Sequence, residues 1–571
     1  SPAGVQEILD FGHYAFELSR FSGLWVGLKT MKDTIEVTSV VSADPSRMTF
    51  VCPDMALPEG GLNIRLVDTA ALQEARLLDH KVAAAEAFAR ANKMDKRVLG
   101  QKGAKIGFVA AGKNWLDLVH ALSLLNIDDK QAKRLGLTTY KVVQTWPLDR
   151  QSFSEWAEDL DLIVVVEEKR KLIEGQVKDA LFSNLQGRRV YGGSKGSFGK
   201  ILFPSKGALD PNLIAETIGG ILVEEGFSNE LIEGGLAKLV KARHADNASD
   251  IALRIPYFCA GCPHNSSTKV PDGSRAYAGI GCHYMAQWMD RETLGYTHMG
   301  GEGANWIGEA QFSNRDHVFQ NLGDGTYNHS GIQAIRAALS AETNITYKIL
   351  FNDAVAMTGG QGNDGSLSAL RITEELLAMG IENLALVYDE KEELDLQAFS
   401  KKISKHCRED LMDVQNNFAK IKGVSCIVYI QTCAAEKRRR RKRGKFPDPD
   451  QRIFINTDVC EGCGDCGEQS NCVALNPVET EFGRKRVIDQ SACNKDFSCM
   501  KGFCPSFVTL HGATPKQRVA PDFELPQMPS PSIEPIKGTH NIVVTGVGGT
   551  GVVTIGAILA QAAQIDGKGA G

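Results

Sequence analysis

Two oxygen-bearing side chains and a set of spaced sulfurs define the chemistry open to this sequence. Gly323-Asp324-Gly325 follows the apolar run Val318 to Leu322, and Asn352 closes a second such run, Tyr347 to Phe351. An Asp and an Asn at the ends of two neighbouring strands offer hard oxygen ligands to Mg²⁺. A cation held there bridges a diphosphate, and the glycines let backbone amides approach the phosphate oxygens. Gly-Asp-Gly alone is a common turn. Joined to an Asn at this spacing in a parallel α/β setting, it is the fingerprint of a thiamine diphosphate site. The residues expected to hold the cofactor are Gly323, Asp324, Gly325, Asn352 and Ala354, with Asp324, Asn352 and the Ala354 carbonyl on Mg²⁺.

Of the fourteen cysteines, eleven fall into two spaced groups within a long chain that shows no export signal, which favours metal ligation over disulfides. The first group is Cys259-Ala260-Gly261-Cys262, whose spacing supplies two corners of a cluster or zinc site. Cys282 and Cys433 are the expected partners, and Cys407 is a weaker candidate. A structural zinc or a redox disulfide are the alternative readings. The second group runs Cys460-x2-Cys463-x2-Cys466-x5-Cys472, then Cys493-x5-Cys499-x4-Cys504-Pro505, a distorted double ferredoxin motif. In such motifs the first three cysteines of one run join the last of the other, so Cys460, Cys463, Cys466 and Cys504 form one set. Cys472, Cys493 and Cys499 form the second, with Asp496 where a fourth cysteine belongs. That site is expected to carry a [4Fe-4S] cluster with Asp496 as ligand, or a [3Fe-4S] cluster. Three clusters are expected in all; for this second group, a single cluster with structural cysteines remains the plainer alternative. Cys52 and Cys426 read as ordinary buried thiols.

These residues need rigid elements behind them. At 571 residues the chain exceeds a single core and is expected to form three to five domains. Helical spacing marks residues 5–29 and 70–92, and alternation marks a strand at 34–41. Strands at 106–111, 140–145 and 162–167 alternate with helices at 115–125 and 171–182, which implies a parallel sheet over residues 101–250. A second series spans 255–435, with buried strands at 318–322, 347–351, 383–387 and 425–430. The basic run Lys437 to Lys445, broken only by Gly444, reads as a solvated linker over 436–452 that could also dock an acidic partner. Residues 453–512 have weak periodicity and need a metal core. A Pro-rich linker covers 513–539, and a strand at 541–545 leads into Gly546-Val547-Gly548-Gly549-Thr550-Gly551, a dinucleotide-like pattern too isolated to name a ligand. The net charge of −5 gives no reason to expect nucleic acid as a partner. No apolar stretch reaches membrane length, so a cytoplasmic protein without a membrane partner is expected. Both ends read as interrupted elements of a longer chain.

Taken together, the cofactor fingerprint, the separate cysteine set and the ferredoxin-type insert resemble the 2-oxoacid:ferredoxin oxidoreductases. Tyr257 to Asn265, Gly323 to Gly331 and Asp353 to Gln361 resemble the indolepyruvate type in its fused single-chain form, and the likeness covers nearly the whole chain. The fold this implies is α/β multidomain, with thiamine-diphosphate-binding (255–435) and transketolase C-terminal-like (101–250) parallel-sheet domains. It adds a small α+β ferredoxin-like domain (453–512), the end of a pyrimidine-binding domain (1–50), a helical linker (51–100) and the start of a catalytic γ-type domain (540–571). The family's glutamate that activates the aminopyrimidine would lie upstream of residue 1. The implied reaction is oxidative decarboxylation of an aryl 2-oxoacid with coenzyme A, giving acyl-CoA and CO₂ and reducing ferredoxin. His264, His283 and His329 are the polar candidates near the reacting carbon, each also readable as structural. A homodimer is expected. Rival readings are the same chemistry on pyruvate or a branched-chain acid, a non-oxidative decarboxylase, and an electron-transfer subunit without thiamine diphosphate.

Overall fold

The computed structural model describes residues 1–35, 37, 39–183, 186–196, 199–246, 255–514, 532, 540–545 and 551–568. The chain divides into two compact units, residues 1–250 with 530–571 and residues 251–529.

In the first unit, five strands run in the order Lys96–Arg97, Leu137–Val142, Ile106–Ala111, Leu162–Val165, Arg189–Tyr191, and all but the first are parallel. Successive side chains of a strand face opposite ways, so the unbroken apolar run at 106–110 serves two cores. Phe108 and Ala110 pack with Leu118 and Ile218 on one face, and Val109 packs with Phe153, Trp156 and Val177 on the other. The long helix Val5–Ser22 lays Tyr14 and Leu18 on Ala85 and Phe88. Among the described residues of 34–41 there is no strand: Lys32–Ile35 is a helical turn, and the described residues after it are irregular. Alternation alone makes no strand where no ladder partner takes up the backbone groups. The strand expected at 541–545 is likewise irregular, with Ile542 and Val543 exposed. The helix expected after the Gly-rich loop is present as Val552–Ile565, whereas Gly546 to Thr550 and most of the Pro-rich linker lie outside the described residues.

The second unit is built on seven parallel strands. Their order is Ser404–Cys407, Asn383–Tyr388, Val424–Ile430, Ile345–Phe351, Val318–Gly323, Ala276–Ala278, Thr293–Tyr296. The three central strands are buried along nearly their whole length, and helices Ile332–Ser340, Ala369–Ala378 and Leu411–Phe418 cover them. Register pairs Gly323 with Leu350, so the chain leaves these two strands side by side at their carboxyl ends, where open α/β sheets bind ligands. The Cys-rich segment carries two antiparallel ribbons, Gln451–Ile455 with Phe507–His511 and Leu475–Thr480 with Gly483–Ile488. The basic run is no loose linker. Residues Ala434–Lys442 form a helix, because carboxylates and carbonyls of surrounding segments take up its charges. No helix among the described residues is long and apolar enough to cross a membrane.

Candidate functional site

Asp324 begins the turn after strand Val318–Gly323, and its carboxylate is almost wholly buried. Oδ1 accepts from Gly325 N at 2.8 Å, while Oδ2 accepts from Asn352 N at 3.2 Å, Asp353 N at 3.0 Å and Asn363 Nδ2 at 3.1 Å. Burial nevertheless pushes its pKa up to about 6. Four donors leave the charge only partly compensated, and a cation would complete the compensation. Asn352 Oδ1 accepts from Ala354 N at 3.2 Å, which folds the loop over the two strand ends. Between them Asp353 takes the left-handed conformation, φ 56°. Asn363 Oδ1 is buried without a partner and lies 3.5 Å from where a Gly325 Cβ would stand. An orphaned acceptor beside a buried carboxylate fits a site for Mg²⁺ and diphosphate.

Sequence reasoning missed Asn363, and it also missed Glu302. Glu302 is fully buried and accepts from Gly300 N at 2.6 Å and Ile280 N at 3.4 Å. It thereby ties the loop 300–303 to the turn that carries Cys282. Gly300 has φ 90°, and a Cβ there would stand 2.2 Å from Ser330 Oγ. The signal available in the sequence was a glutamate ringed by glycines, Gly300-Gly301-Glu302-Gly303.

The structure gathers Cys259, Cys262, Cys282 and Cys433. Burial raises the pKa of Cys262 and Cys282, the latter to about 11, and the neighbouring thiols of the set add to the rise. Half-buried Cys262, Cys282 and Cys433 with the more exposed Cys259 make a four-sulfur donor set suited to cationic iron. Cys433 N donates to Asn352 O at 2.9 Å, so the sulfur set and the loop after Asn352 share a backbone hydrogen bond. Lys348, buried in a central strand, donates to Ser267 O at 2.8 Å, Lys269 O at 3.2 Å and Gln415 Oε1 at 3.0 Å. These bonds tether the segment after Cys262 to the sheet. Burial pulls the pKa of Lys348 down to about 7.

Cys407 stands outside this set, at the end of an edge strand, with its thiol donating to Glu390 at 3.2 Å. Cys426 is buried as expected, but Cys52 is exposed: the chain turns Phe50 inward onto Tyr14 and leaves Cys52 outside. His264 and His283 are buried with rings 5.4 Å apart. Burial holds both pKa values down, His283 to about 4 and His264 well below the ordinary value. The His283 ring lies against the turn after strand Val318–Gly323, its Cε1 3.1 Å from where a Gly323 Cβ would stand. His329 is exposed, and its Nδ1 lies 2.7 Å from Ser330 Oγ, on the side of the 300–303 loop.

In the insert, Cys472, Cys493, Cys499 and Asp496 line one small cavity together with Gly261 of the first cysteine turn. Asn494 Nδ2 donates to Ala260 O at 2.8 Å, which fastens this cavity to that turn. Asp496 has other partners than a metal: Oδ1 accepts from Arg408 at 2.5 Å and Gln431 at 3.0 Å, and Oδ2 accepts from Ser498. Burial alone would raise its pKa, but the Arg408 guanidinium and the Ser498 hydroxyl hold it below the usual carboxylate range. Cys460, Cys463 and Cys466 are neighbours, and Cys504 Sγ lies 3.0 Å from Ser506 Oγ. Cys463, Cys466 and Cys472 open onto a cavity of about 1070 Å³ that Trp288, Arg291 and Arg486 also line. All fourteen cysteines are free thiols. Among the described residues no three His, Cys, Asp or Glu side chains converge as a single metal ion requires. A cubane cluster, being larger than an ion, holds its sulfurs further apart.

Two family models match the chain. The indolepyruvate oxidoreductase domain matches residues 96–246, and the C-terminal TPP binding domain of thiamine pyrophosphate enzymes matches residues 279–412. Curated relatives include the indolepyruvate oxidoreductase subunit IorA of Thermococcus kodakarensis, 24% identical over 423 residues, covering 69% of this chain and 59% of that protein. The IorA proteins of Pyrococcus abyssi and Archaeoglobus fulgidus are 25% and 23% identical, over 83% and 88% of this chain and 72% and 75% of theirs. The chain thus spans about three fifths to three quarters of the length of these relatives. A solved 2-oxoglutarate:ferredoxin oxidoreductase from Magnetococcus marinus is 18% identical and covers 33% of this chain and 67% of its own, at a TM-score of 0.25.

Proposed function

The chain belongs to the 2-oxoacid:ferredoxin oxidoreductase family, and on that premise we propose that it carries the thiamine-diphosphate and iron–sulfur part of an enzyme that oxidatively decarboxylates aryl 2-oxoacids, indolepyruvate among them. The acyl group passes to coenzyme A, CO₂ leaves, and ferredoxin takes up the electrons, in a cytoplasmic homodimer. The observation that carries the reading is the hydrogen bond from Cys433 N to Asn352 O, because it sets a four-thiol site directly against the Mg²⁺ loop. When bound, thiamine diphosphate supplies the carbanion and electron sink that decarboxylation needs, and iron–sulfur clusters accept the electrons singly.

The chain's own residues bind and orient. Asp324, Asn352 and the Ala354 carbonyl would hold Mg²⁺, and the amides at the Gly323–Gly325 turn would face the diphosphate. Glu302 fixes the glycine loop beside Ser330 and His329, and exposed His329 is the one predicted histidine free to reach a substrate. His264 and His283, buried and neutral, pack against each other, and His283 backs the Gly323 turn. Cys259, Cys262, Cys282 and Cys433 would hold the cluster next to the cofactor, and the insert's two cysteine sets would form a ferredoxin-like relay toward its surface. The test is a substrate panel on the anaerobic full-length protein: coenzyme-A-dependent CO₂ release coupled to ferredoxin reduction should be fastest with indolepyruvate or another arylpyruvate. Equal or faster turnover of pyruvate would refute the aryl assignment.

A further inference from the structure

A helix carrying four consecutive arginines should not stand alone, since like charges three and four residues apart repel. Helix Ala434–Lys442 stands because each arginine finds an acceptor on one of two neighbouring segments. Arg440 makes an ion pair with Asp353 Oδ2 at 2.7 Å and donates to Asp353 O at 3.3 Å. Arg439 donates to Gly359 O at 2.7 Å. Gly360 has φ 79°, and a Cβ there would lie 2.7 Å from Arg439 Nη1, so glycine is what allows this approach. Arg438 donates to Ser491 O, and Arg441 donates to Asn494 O at 2.8 Å. Those two carbonyls flank Cys493.

The helix starts at Cys433, whose amide is bonded to Asn352 O. One short element therefore touches a sulfur of the first set, the loop between Asn352 and Gly360, and the segment around Cys493. Asp353 is the strained point, a non-glycine residue in the left-handed region between two residues assigned to Mg²⁺, and such conformers persist only when surrounding bonds over-determine them. Arg440 supplies two of those bonds.

We propose that this helix couples the Mg²⁺-diphosphate loop to the iron–sulfur centres, with Arg440 as the residue that positions the loop. The inference rests on the assignment of Mg²⁺ and thiamine diphosphate to Asp324 and Asn352. Coupling between two sites is reciprocal: whatever cofactor binding does to the Cys433 cluster, the state of that cluster does to cofactor affinity.

The test uses anaerobic full-length protein, with Mg²⁺–thiamine diphosphate affinity by calorimetry and the reduced cluster's paramagnetic signal recorded with and without cofactor. In the wild type, adding cofactor should change that signal. Arg440→Gln should weaken cofactor binding by about tenfold or more at unchanged iron content, and the signal should no longer respond. Arg440→Lys should fall between the two, since an ammonium keeps the charge but loses the fork that grips two oxygens. Arg438→Gln, on the other side of the helix, should leave cofactor affinity unchanged. The proposal is overturned if Arg440→Gln binds cofactor and responds like the wild type, or if Arg440→Gln and Arg440→Lys both lose iron along with cofactor, as a merely structural role would have it. A wild type that retains iron but binds no thiamine diphosphate would instead overturn the functional assignment, and this inference with it.

Discussion

Replacing Asp324 by Asn should make the cofactor-free protein more stable while abolishing its affinity for Mg²⁺ and thiamine diphosphate. The native carboxyl is buried and its pKa is pushed up to about 6 from an ordinary value near 4. At 1.36 kcal/mol per pKa unit, a buried carboxylate of this kind costs the empty site about 3 kcal/mol at neutral pH. Because the native carboxyl keeps its proton to higher pH than the unfolded one, the cost is absent below about pH 4, grows through pH 4 to 6, and is complete above. Asn removes the charge but turns an amide donor toward Gly325 N or the Oδ2 donors, which gives back roughly 1–2 kcal/mol. The net gain is then about 1–2 kcal/mol, a few degrees of melting temperature for a unit of this size. The assay is thermal unfolding of iron-loaded, thiamine-diphosphate-free protein at pH 4.5 and pH 8. Asp324→Asn should melt higher than the wild type at pH 8 and no higher at pH 4.5, and added cofactor should raise only the wild type. A variant that melts lower than the wild type by the same margin at both pH values would refute the reasoning.

Two further outcomes follow from the insert and the glycine loop. Since Asp496 is engaged by Arg408, Gln431 and Ser498, the Cys472, Cys493 and Cys499 site should hold a [3Fe-4S] cluster; Asp496→Cys should add about one iron per chain and remove the oxidised signal, at some loss of stability from leaving Arg408 unpaired. Gly300→Ala should destabilise the empty protein by about 1–3 kcal/mol and weaken cofactor binding, because its methyl group would displace Ser330; unfolding curves and cofactor titration check both.

The parallel sheets were legible because both faces of each central strand are buried, which writes a continuous apolar run into the sequence. Residues 106–111 and 318–323 are the plainest cases. Asp324 and Asn352 stood out because each follows the end of an apolar strand, and Cys259 and Cys262 because of their two-residue spacing; their roles as ligands are part of the proposal. The basic run misled because charge usually marks solvent, and only the fold reveals that Asp353, Gly359 and the insert's carbonyls meet it. The cysteine spacing left Asp496 either a ligand or the mark of a three-iron site, and its partner Arg408, 88 residues away, lies beyond any local pattern. Glu302 and Asn363 act through contacts that glycine-rich surroundings hint at and do not specify. The alternations at 34–41 and 541–545 have no strand partner among the described residues.

The central claim is that one chain holds thiamine diphosphate against a four-cysteine cluster that feeds two more clusters. Iron and thiamine diphosphate measured per chain on anaerobically purified full-length protein, with low-temperature paramagnetic resonance of both oxidation states, test it most directly. The account predicts about eleven iron, one thiamine diphosphate and an oxidised [3Fe-4S] signal. No thiamine diphosphate together with about four iron or fewer would contradict it.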